Sequence, residues 1–359
     1  MPKIRVLVVD DSAVMRRLLR EAIESDPHLE VVAVAANGRI ALSYIEQVKP
    51  DVLTLDLEMP EMDGLETLRH LQQTHPKLPV IVFSMLSEHG ATATLDALAL
   101  GATDYVTKPS GPGGLEFTVE QIRRELLPRL RALGVHVRPP TIFRRPATCS
   151  VPRRDVPVEI VVIGTSTGGP NALGELLPGI PGNLPVPILI VQHMPPIFTG
   201  FLAQRLSSRT SFPVREAIHD QRVKPAEAWI ARGDFHMIVR RDGSQVRLML
   251  HQLDPENFCR PSVDALFRSA AEEFGPGVLA VVMTGMGQDG LVGAEQIHQA
   301  GGAVLVQDQS SSVIWGMPGA IAQAGIADEI LPLSQIGPAI VRRVLVRPGN
   351  GTVGRRECV

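Results

Sequence analysis

Short apolar runs alternate with amphipathic stretches over the first 134 residues. The runs have the length of β-strands and read "IRVLVV", "LEVVAVA", "DVLTLD", "PVIVFS" and "TDYVTK". The stretches between them have helical periodicity, and Ser12 is placed as the N-cap of the first, "SAVMRRLLREAIES". Strands that alternate with helices predict a doubly wound parallel sheet. A final helical stretch contains Pro128, which predicts a kink or a break there.

A second α/β pattern begins at residue 158. Its apolar runs "EIVVIG", "VPILIVQ", "VLAVVM" and "GAVLVQ" contain few polar residues, which is typical of buried parallel strands. The segment "FHMIVRRDGSQVRLML" differs, because two alternating runs meet at Asp242 and Gly243, a strong signal for a β-hairpin. The sequence therefore predicts a second, larger, Rossmann-like α/β domain that contains a hairpin.

The segment between the two patterns has no periodicity. Residues 135–157 contain repeated prolines together with five arginines and one aspartate, and we interpret them as a linker. The predicted organisation is a first domain over residues 1–134, this linker, a second domain over residues 158–348 and a disordered tail over residues 349–359.

Composition narrows the class of partner. The chain has 359 residues, 44% of them hydrophobic, and a formal net charge of −3, so we expect neither a nucleic-acid partner nor membrane insertion. No apolar run has the length of a membrane span, and the N-terminus enters a strand without a cleavable leader. Cys149, Cys259 and Cys358 show neither metal-ligand spacing nor a disulfide framework, which predicts a cytoplasmic protein.

Polar side chains follow four strands of the first predicted sheet. Asp10 and Asp11 follow the first strand, Asp56 ends the third, Ser84 ends the fourth and Lys108 follows the fifth. Because ligands bind beyond the carboxyl ends of parallel strands, we expect these side chains at one edge. Three carboxylates repel one another unless a cation lies among them, and oxygen ligands suit Mg²⁺. Asp56 is then placed to accept a phosphoryl group, with Lys108 and Ser84 contacting its oxygens.

The stretches "DDSAVMR", "LDLEMPEMDG" and "GATDYVTKP", which carry these residues, closely resemble a response-regulator receiver domain, a flavodoxin-like fold. The resemblance implies that Asp56 is phosphorylated by a chemotaxis histidine kinase and that Ser84 and Tyr105 shift inward as the switch. Taken alone, Tyr105 fits equally well as an edge-strand aromatic residue, and a single strand-end aspartate fits equally well as a helix cap.

The second domain places a different set of side chains beyond its strands. Ser166 follows "EIVVIG", His193 follows "VPILIVQ", and Asp289 follows "VLAVVM" through the loop "TGMGQDG". Together they provide a nucleophile, a base and an orienting acid. The helix that begins after Ser166 favours a developing oxyanion, and the Met286 N–H is the second donor that we expect there.

The same residues also allow other interpretations of the turn at Ser166 and of the base. "GTSTG" fits G-x-S-x-G, but it also resembles a dinucleotide-binding turn. The dinucleotide interpretation is disfavoured because Ser166 stands where a glycine must let the backbone approach the pyrophosphate. The order serine, histidine, aspartate excludes the α/β-hydrolase fold. His219 and His236 are rivals for the base, although a position inside the hairpin favours a structural role for His236.

The second domain resembles the catalytic domain of the CheB family, the chemotaxis protein-glutamate methylesterases. The resemblance rests on "GTSTGGP", "VQHMPPIFTGFLAQRL", "RPSVDALFRSA", "TGMGQDG" and "WGMPGAI". It implies hydrolysis of glutamate γ-methyl esters on chemoreceptors with release of methanol, and in many members deamidation of receptor glutamines. It further implies Ser166 as the nucleophile, His193 as the base and Asp289 as the orienting acid, with no cofactor in the esterase site.

Other positions follow from the same resemblance. Thr167 and Met286 match positions that line the site, and Arg260 and Ser262 lie in the matched "RPSVD" stretch. A helix cap is the alternative role for Ser262. The resemblance also implies that an unphosphorylated receiver restricts access to the catalytic cleft.

The residues alone leave two functions to compare with that of a methylesterase. A DNA-binding output domain requires a basic helix-turn-helix of modest size, which does not fit the acidic second domain. The second rival is a serine hydrolase that acts on a different ester or amide. The residues alone do not distinguish it from a methylesterase.

Overall fold

A computed structural model describes residues 2–109, 115–134, 156–243 and 245–345. The chain divides into two units, residues 1–142 and 143–359. The predicted linker up to residue 155 and the predicted tail lie outside the described residues. The domain boundaries therefore stay a prediction.

The first unit alternates strictly between strands and helices. Its elements are β1 (Ile4–Val9), α1 (Ala13–Glu24), β2 (Leu29–Ala35), α2 (Gly38–Val48), β3 (Val52–Asp56), α3 (Gly64–Thr74), β4 (Val80–Ser84), α4 (Glu88–Ala99), β5 (Asp104–Thr107) and α5 (Leu115–Gly134). The strands form one parallel sheet in the order β2-β1-β3-β4-β5. The predicted doubly wound sheet is confirmed, and its strand order reverses between β1 and β3.

Local signals set the helices of this unit. Ser12 caps α1 as predicted, since its side chain accepts a hydrogen bond from Met15 N at 3.3 Å. Of the kink or break predicted at Pro128, the break is wrong, because α5 continues through this residue, and the kink stays a prediction. Leu126 and Leu130 on either side are fully buried in the core, and their burial offsets the hydrogen bond that proline cannot donate. No described helix is long and apolar enough to cross a membrane.

The second unit is built around a larger parallel sheet. Its elements are β6 (Ile160–Thr165), α6 (Gly169–Leu176), β7 (Ile188–Gln192), α7 (Phe198–Ser207), β8 (Val214–Glu216), β9 (Gln221–Val223), β10 (Ala228–Ile230), β11 (His236–Asp242), β12 (Gln245–His251), α8 (Val263–Phe274), β13 (Val278–Val282), α9 (Leu291–Gln299), β14 (Ala303–Gln307), α10 (Met317–Gln323), β15 (Glu329–Leu331) and α11 (Leu333–Leu345). Seven strands are parallel in the order β15-β14-β13-β6-β7-β10-β8.

The predicted hairpin is a separate antiparallel sheet. Asp242 lies opposite Gln245 at its closed end, and Gly243 has a φ of 58°, which a left-handed hairpin turn requires. β9 adds a third strand to give the order β11-β12-β9. The strands that the pattern missed, β8, β9, β10 and β15, each have three residues, too few to show alternation.

Candidate active site

Three strand ends meet at the topological switch point of the seven-stranded sheet. β6 lies at the centre, with β7 on one side and β13 on the other. Ser166 comes directly after β6, His193 directly after β7, and Asp289 in the loop after β13. The sheet therefore brings the three predicted side chains to one edge, where ligands of open parallel sheets bind.

The carboxylate of Asp289 is surrounded by donors. Its Oδ2 accepts from His193 Nε2 at 2.7 Å and from Val263 N at 2.7 Å. Its Oδ1 accepts from Ser262 Oγ at 2.7 Å and from Asn257 Nδ2 at 3.0 Å. Two further backbone donors to Oδ1 are Asp264 N at 3.2 Å and Gly290 N at 3.1 Å. The carboxylate thus occupies the N-terminus of α8, where free N–H groups favour a negative charge.

The His193–Asp289 pair is electrostatically polarised. Burial raises the pKa of Asp289, but the hydrogen bond from His193 and those from Val263 and Ser262 outweigh burial and hold that pKa well below its usual value. Burial alone lowers the pKa of His193, yet its hydrogen bonds to Asp289 and Cys259 raise this pKa to about 10. The arrangement stabilises an imidazolium beside a carboxylate, which is what a base needs after it has accepted a proton.

The backbone of Ser166 is held by its neighbours. Ser166 N donates to Thr284 O at 3.0 Å, and Gln192 Nε2 donates to Ser166 O at 3.0 Å. A Cβ on Gly285 would lie 2.9 Å from Ser166 Cβ, so only glycine fits against the serine. Within the described residues, Ser166 Oγ forms no hydrogen bond with the His193 ring. Such catalytic hydrogen bonds commonly tighten when substrate binds.

The backbone beside Ser166 offers a helix N-terminus and one free N–H group to a developing oxyanion. α6 begins three residues after Ser166, and its N-cap Gly168 has a φ of 78°, which turns the chain sharply into the helix. Met286 N donates to no other group among the residues that the structure describes. Thr167 is buried, and its carbonyl accepts from Thr284 Oγ1 at 2.9 Å. Met286 is therefore free to donate to a ligand, while Thr167 stiffens the turn.

The five side chains predicted at the edge of the first sheet also lie near one another. Lys108 Nζ is 2.7 Å from Asp56 Oδ2 and 3.1 Å from Asp10 Oδ2. One ligand oxygen each from Asp10, Asp11 and Asp56 lies within 4.8 Å of the others. Ser84 is buried at the end of β4, and its hydroxyl donates to Gly90 O at 3.3 Å.

Charge in this acidic pocket is only partly balanced. Burial, together with the charge of Asp10, raises the pKa of Asp56 although Lys108 acts against this. Burial lowers the pKa of Lys108, but the hydrogen bond to Asp56 and the charge of Asp10 outweigh burial and raise it. One ammonium faces three carboxylates, and this surplus of oxygen ligands fits a Mg²⁺ ion. Tyr105 is buried in β5, and burial raises its pKa.

Comparison with known proteins gives both units a family. The model of the CheB methylesterase family matches residues 161–340, and the model of the response regulator receiver domain matches residues 6–120. The chain belongs to the CheB methylesterase family. The match removes the DNA-binding output domain as an alternative.

Relatives are similar in sequence to this chain over nearly its full length. A protein-glutamate methylesterase/protein-glutamine glutaminase of Trichodesmium erythraeum is 51% identical over 351 residues, which is 96% of this chain and 100% of that protein. One from Nocardioides is 49% identical, covering 96% of both chains. The CheB methylesterase catalytic domain of Thermotoga maritima is 42% identical with a TM-score of 0.51, and the match covers 52% of this chain and 99% of that structure.

The remaining residues that the sequence singled out have structural partners. His219 is exposed and accepts from Leu250 N at 3.1 Å. His236 is fully buried and accepts from Ser262 N at 3.2 Å. Neither histidine forms a hydrogen bond or an ion pair with Asp289 in the described structure. Arg260 pairs with Asp234 at 2.6 Å.

Ser262 combines two roles. Its side chain accepts from Asp264 N at 3.2 Å, which makes it the N-cap of α8. Its hydroxyl donates to Asp289 Oδ1, so the helix cap and the site share one side chain.

Two side chains in the site were not found from the sequence. Cys259 Sγ lies 3.5 Å from His193 Nδ1, and Asn257 Nδ2 bridges Asp289 and Asp264, at 2.8 Å from Asp264 Oδ2. Spacing along the chain gave no metal-ligand pattern for Cys259, because the side chains near its thiol, those of His193 and Asp289, come from other loops. The only signal was proximity to the matched "RPSVD" stretch.

Proposed function

We propose that this protein is a phosphorylation-activated serine hydrolase that removes methyl groups from glutamate γ-methyl esters of chemoreceptors. We propose that it also converts specific receptor glutamines to glutamates. Family membership and the activities for which the relatives are named support this chemistry. The observation that carries it is the 2.7 Å hydrogen bond between His193 and Asp289 at the switch point beside Ser166. Such substrates place the enzyme in the cytoplasm.

The reaction proceeds through an acyl-enzyme. Ser166 Oγ attacks the ester carbonyl carbon while His193 removes its proton. Asp289 holds the proton on Nε2, so Nδ1 is the nitrogen that accepts. The same proton passes to the departing oxygen, which leaves as methanol, or to the departing nitrogen of a glutamine, which leaves as ammonia. Water then attacks the acyl-enzyme and releases the glutamate carboxylate and Ser166.

Negative charge on the substrate oxygen is stabilised by the backbone. The Met286 N–H supplies a donor, the dipole at the N-terminus of α6 adds positive potential, and Thr167 lines the site. Ser166 N is committed to Thr284 O and takes no part. Removal of one such donor typically lowers the rate about 10²–10³-fold.

Regulation starts in the acidic pocket. Asp56 is the proposed phosphorylation site, with a chemotaxis histidine kinase as phosphodonor. A Mg²⁺ ion held by Asp10, Asp11 and Asp56 would neutralise charge on the transferred group. Lys108 then pairs with a phosphoryl oxygen, and the hydroxyl of Ser84 turns from Gly90 to another. The phosphoryl group carries about −1.5 to −2 charges where the carboxylate carried −1, and this added charge drives the switch.

Methanol release from membranes that contain methylated chemoreceptors tests the proposal. We expect release by the full chain, stimulation by acetyl phosphate, and loss of release in Ser166→Ala. Ser208→Ala is the matched control, since this serine is exposed and its hydroxyl bonds Arg205 O at 2.8 Å. Asp56→Asn should abolish the stimulation alone.

The outcomes separate the rival from the proposal. Hydrolysis of p-nitrophenyl acetate without methanol release from receptors would indicate a serine hydrolase for another substrate. Methanol release that persists in Ser166→Ala would remove the serine mechanism.

A further inference from the structure

A third side chain contacts the catalytic pair without a role in the proposed reaction. Cys259 is a free thiol, partly buried, with Sγ 3.5 Å from His193 Nδ1. One ligand atom each from His193, Cys259 and Asp289 lies within 4.8 Å of the others. Imidazole, thiolate and carboxylate are the ligand types that zinc takes in proteins.

The spacing of nitrogen and sulfur fits a shared metal ion. Zinc lies about 2.3 Å from a thiolate sulfur and about 2.0–2.1 Å from an imidazole nitrogen, so two such ligands on a tetrahedral ion are about 3.6 Å apart. The observed separation of His193 Nδ1 and Cys259 Sγ is 3.5 Å. Both atoms therefore fit the ion with little movement.

The opposite side of the histidine is already arranged for metal binding. Asp289 Oδ2 accepts from His193 Nε2, so Nδ1 is the nitrogen that gives up its proton and binds a metal ion. Histidines that bind zinc commonly donate their other nitrogen to a carboxylate in this way. Asp289 therefore serves the same orienting function for a metal ligand as for a base.

The cysteine is also held in place. Cys259 N donates to Glu256 O at 2.8 Å, and Glu256 N donates to Cys259 O at 3.2 Å. Between them, Asn257 and Phe258 have positive φ of 50° and 62°, and Asn257 anchors this tight loop to Asp289. The loop thus fixes both the thiol and the carboxylate relative to the histidine.

We propose that His193 and Cys259 form an inhibitory site for a thiophilic divalent cation of the zinc class, with Asp289 orienting the histidine. Water molecules complete the coordination. When the sulfur–metal and nitrogen–metal bonds form, the thiol proton and the proton on His193 Nδ1 are released to solvent. The bound ion occupies the lone pair of Nδ1 that would otherwise accept the Ser166 proton. The inhibition therefore rests on the proposed esterase reaction, whereas the binding does not.

Binding is tested on the full chain with Cd²⁺, whose thiolate complexes absorb in the ultraviolet. We expect one equivalent of Cd²⁺ to produce a thiolate band in the wild type, and Zn²⁺ to displace it. The band should be lost in Cys259→Ser and retained in Cys149→Ser and Cys358→Ser, which are the matched controls. His193→Ala should weaken Cd²⁺ binding at least tenfold. Asp56→Asn, which alters the carboxylate cluster of Asp10, Asp11 and Asp56, should leave the band intact.

Inhibition is measured as methanol release at increasing Zn²⁺, each variant being compared with its own metal-free rate. We expect reversal by a chelator and a midpoint at least tenfold higher in Cys259→Ser than in the wild type. A thiolate band that survives Cys259→Ser, or its absence in the wild type, overturns the site. An unchanged Zn²⁺ midpoint in that variant overturns the inhibition. Failure of methanol release itself refutes the esterase proposal and leaves the spectroscopic result to decide the metal site.

Discussion

Replacing Asp289 by asparagine is the sharpest test of the site, because it preserves shape and changes only charge and one acceptor. The carboxylate accepts four hydrogen bonds on Oδ1 and two on Oδ2. An asparagine satisfies more donors when its oxygen takes the Oδ1 position. Its NH₂ group then faces His193 and Val263 N. His193 must accept at Nε2 and carry its proton on Nδ1, so the base nitrogen is lost.

The magnitude follows from this geometry. A triad histidine held in the wrong tautomer lowers kcat about 10⁴-fold, and we expect a loss of that order for Asp289→Asn. The Val263 N–H loses its acceptor inside the protein, which costs about 1–3 kcal/mol of unfolding free energy. Loss of the negative charge at the start of α8 adds about 0.3–2 kcal/mol.

The pH dependence of the unfolding free energy tests the His193–Asp289 pair independently of the rate. The pKa of Asp289 is depressed by folding, so its contribution is present above the unfolded value of about 3.9 and lost as the pH falls through the folded pKa. The pKa of His193 is raised to about 10, so its contribution is complete below the unfolded value of about 6.5 and lost as the pH rises towards 10. The stability difference between wild type and Asp289→Asn should be largest between about pH 4 and pH 6.5.

Both the rate and the unfolding free energy of Asp289→Asn can be measured. Methanol release on methylated receptors gives the rate, and urea unfolding at several pH values gives the stability. A rate in Asp289→Asn within tenfold of wild type would refute the tautomer argument. A stability difference that grows between pH 7 and pH 10 would refute the proposed ionic pairing of His193 with Asp289.

Three further predictions follow from other contacts. Gly285→Ala places a methyl group 2.9 Å from Ser166 Cβ, so the serine must shift; we expect a loss of methanol release of about 10–100-fold, with the melting temperature reporting folding. Lys108→Met removes the cation 2.7 Å from Asp56; acetyl phosphate stimulation should fall to near onefold and the pKa of Asp56 should rise, measured by NMR titration. In the wild type, the rate after subtraction of the Ser166→Ala background should rise from pH 7 towards pH 10, because the pKa of His193 is about 10; a rate that falls over this range contradicts the assignment.

Much of the fold was predictable because its signals are local. Buried parallel strands such as β6 and β13 appear as continuous apolar runs, and Ser12 marks the start of α1 through one side-chain hydrogen bond. The position of Ser166 just beyond its strand follows from the same pattern. Pro128 shows the limit, since core packing of α5 overrode a local helix-breaking signal.

The sequence by itself determined which chemical groups stand at the strand ends, because a polar residue after an apolar run is visible along the chain. Only the tertiary structure decided how those groups are connected. Asp289 receives donors from α8 and from the loop of Asn257, and Cys259 reaches His193 across 66 positions of sequence. These contacts depend on strand order and loop closure, which place distant segments within hydrogen-bonding range and leave no periodic trace in the sequence.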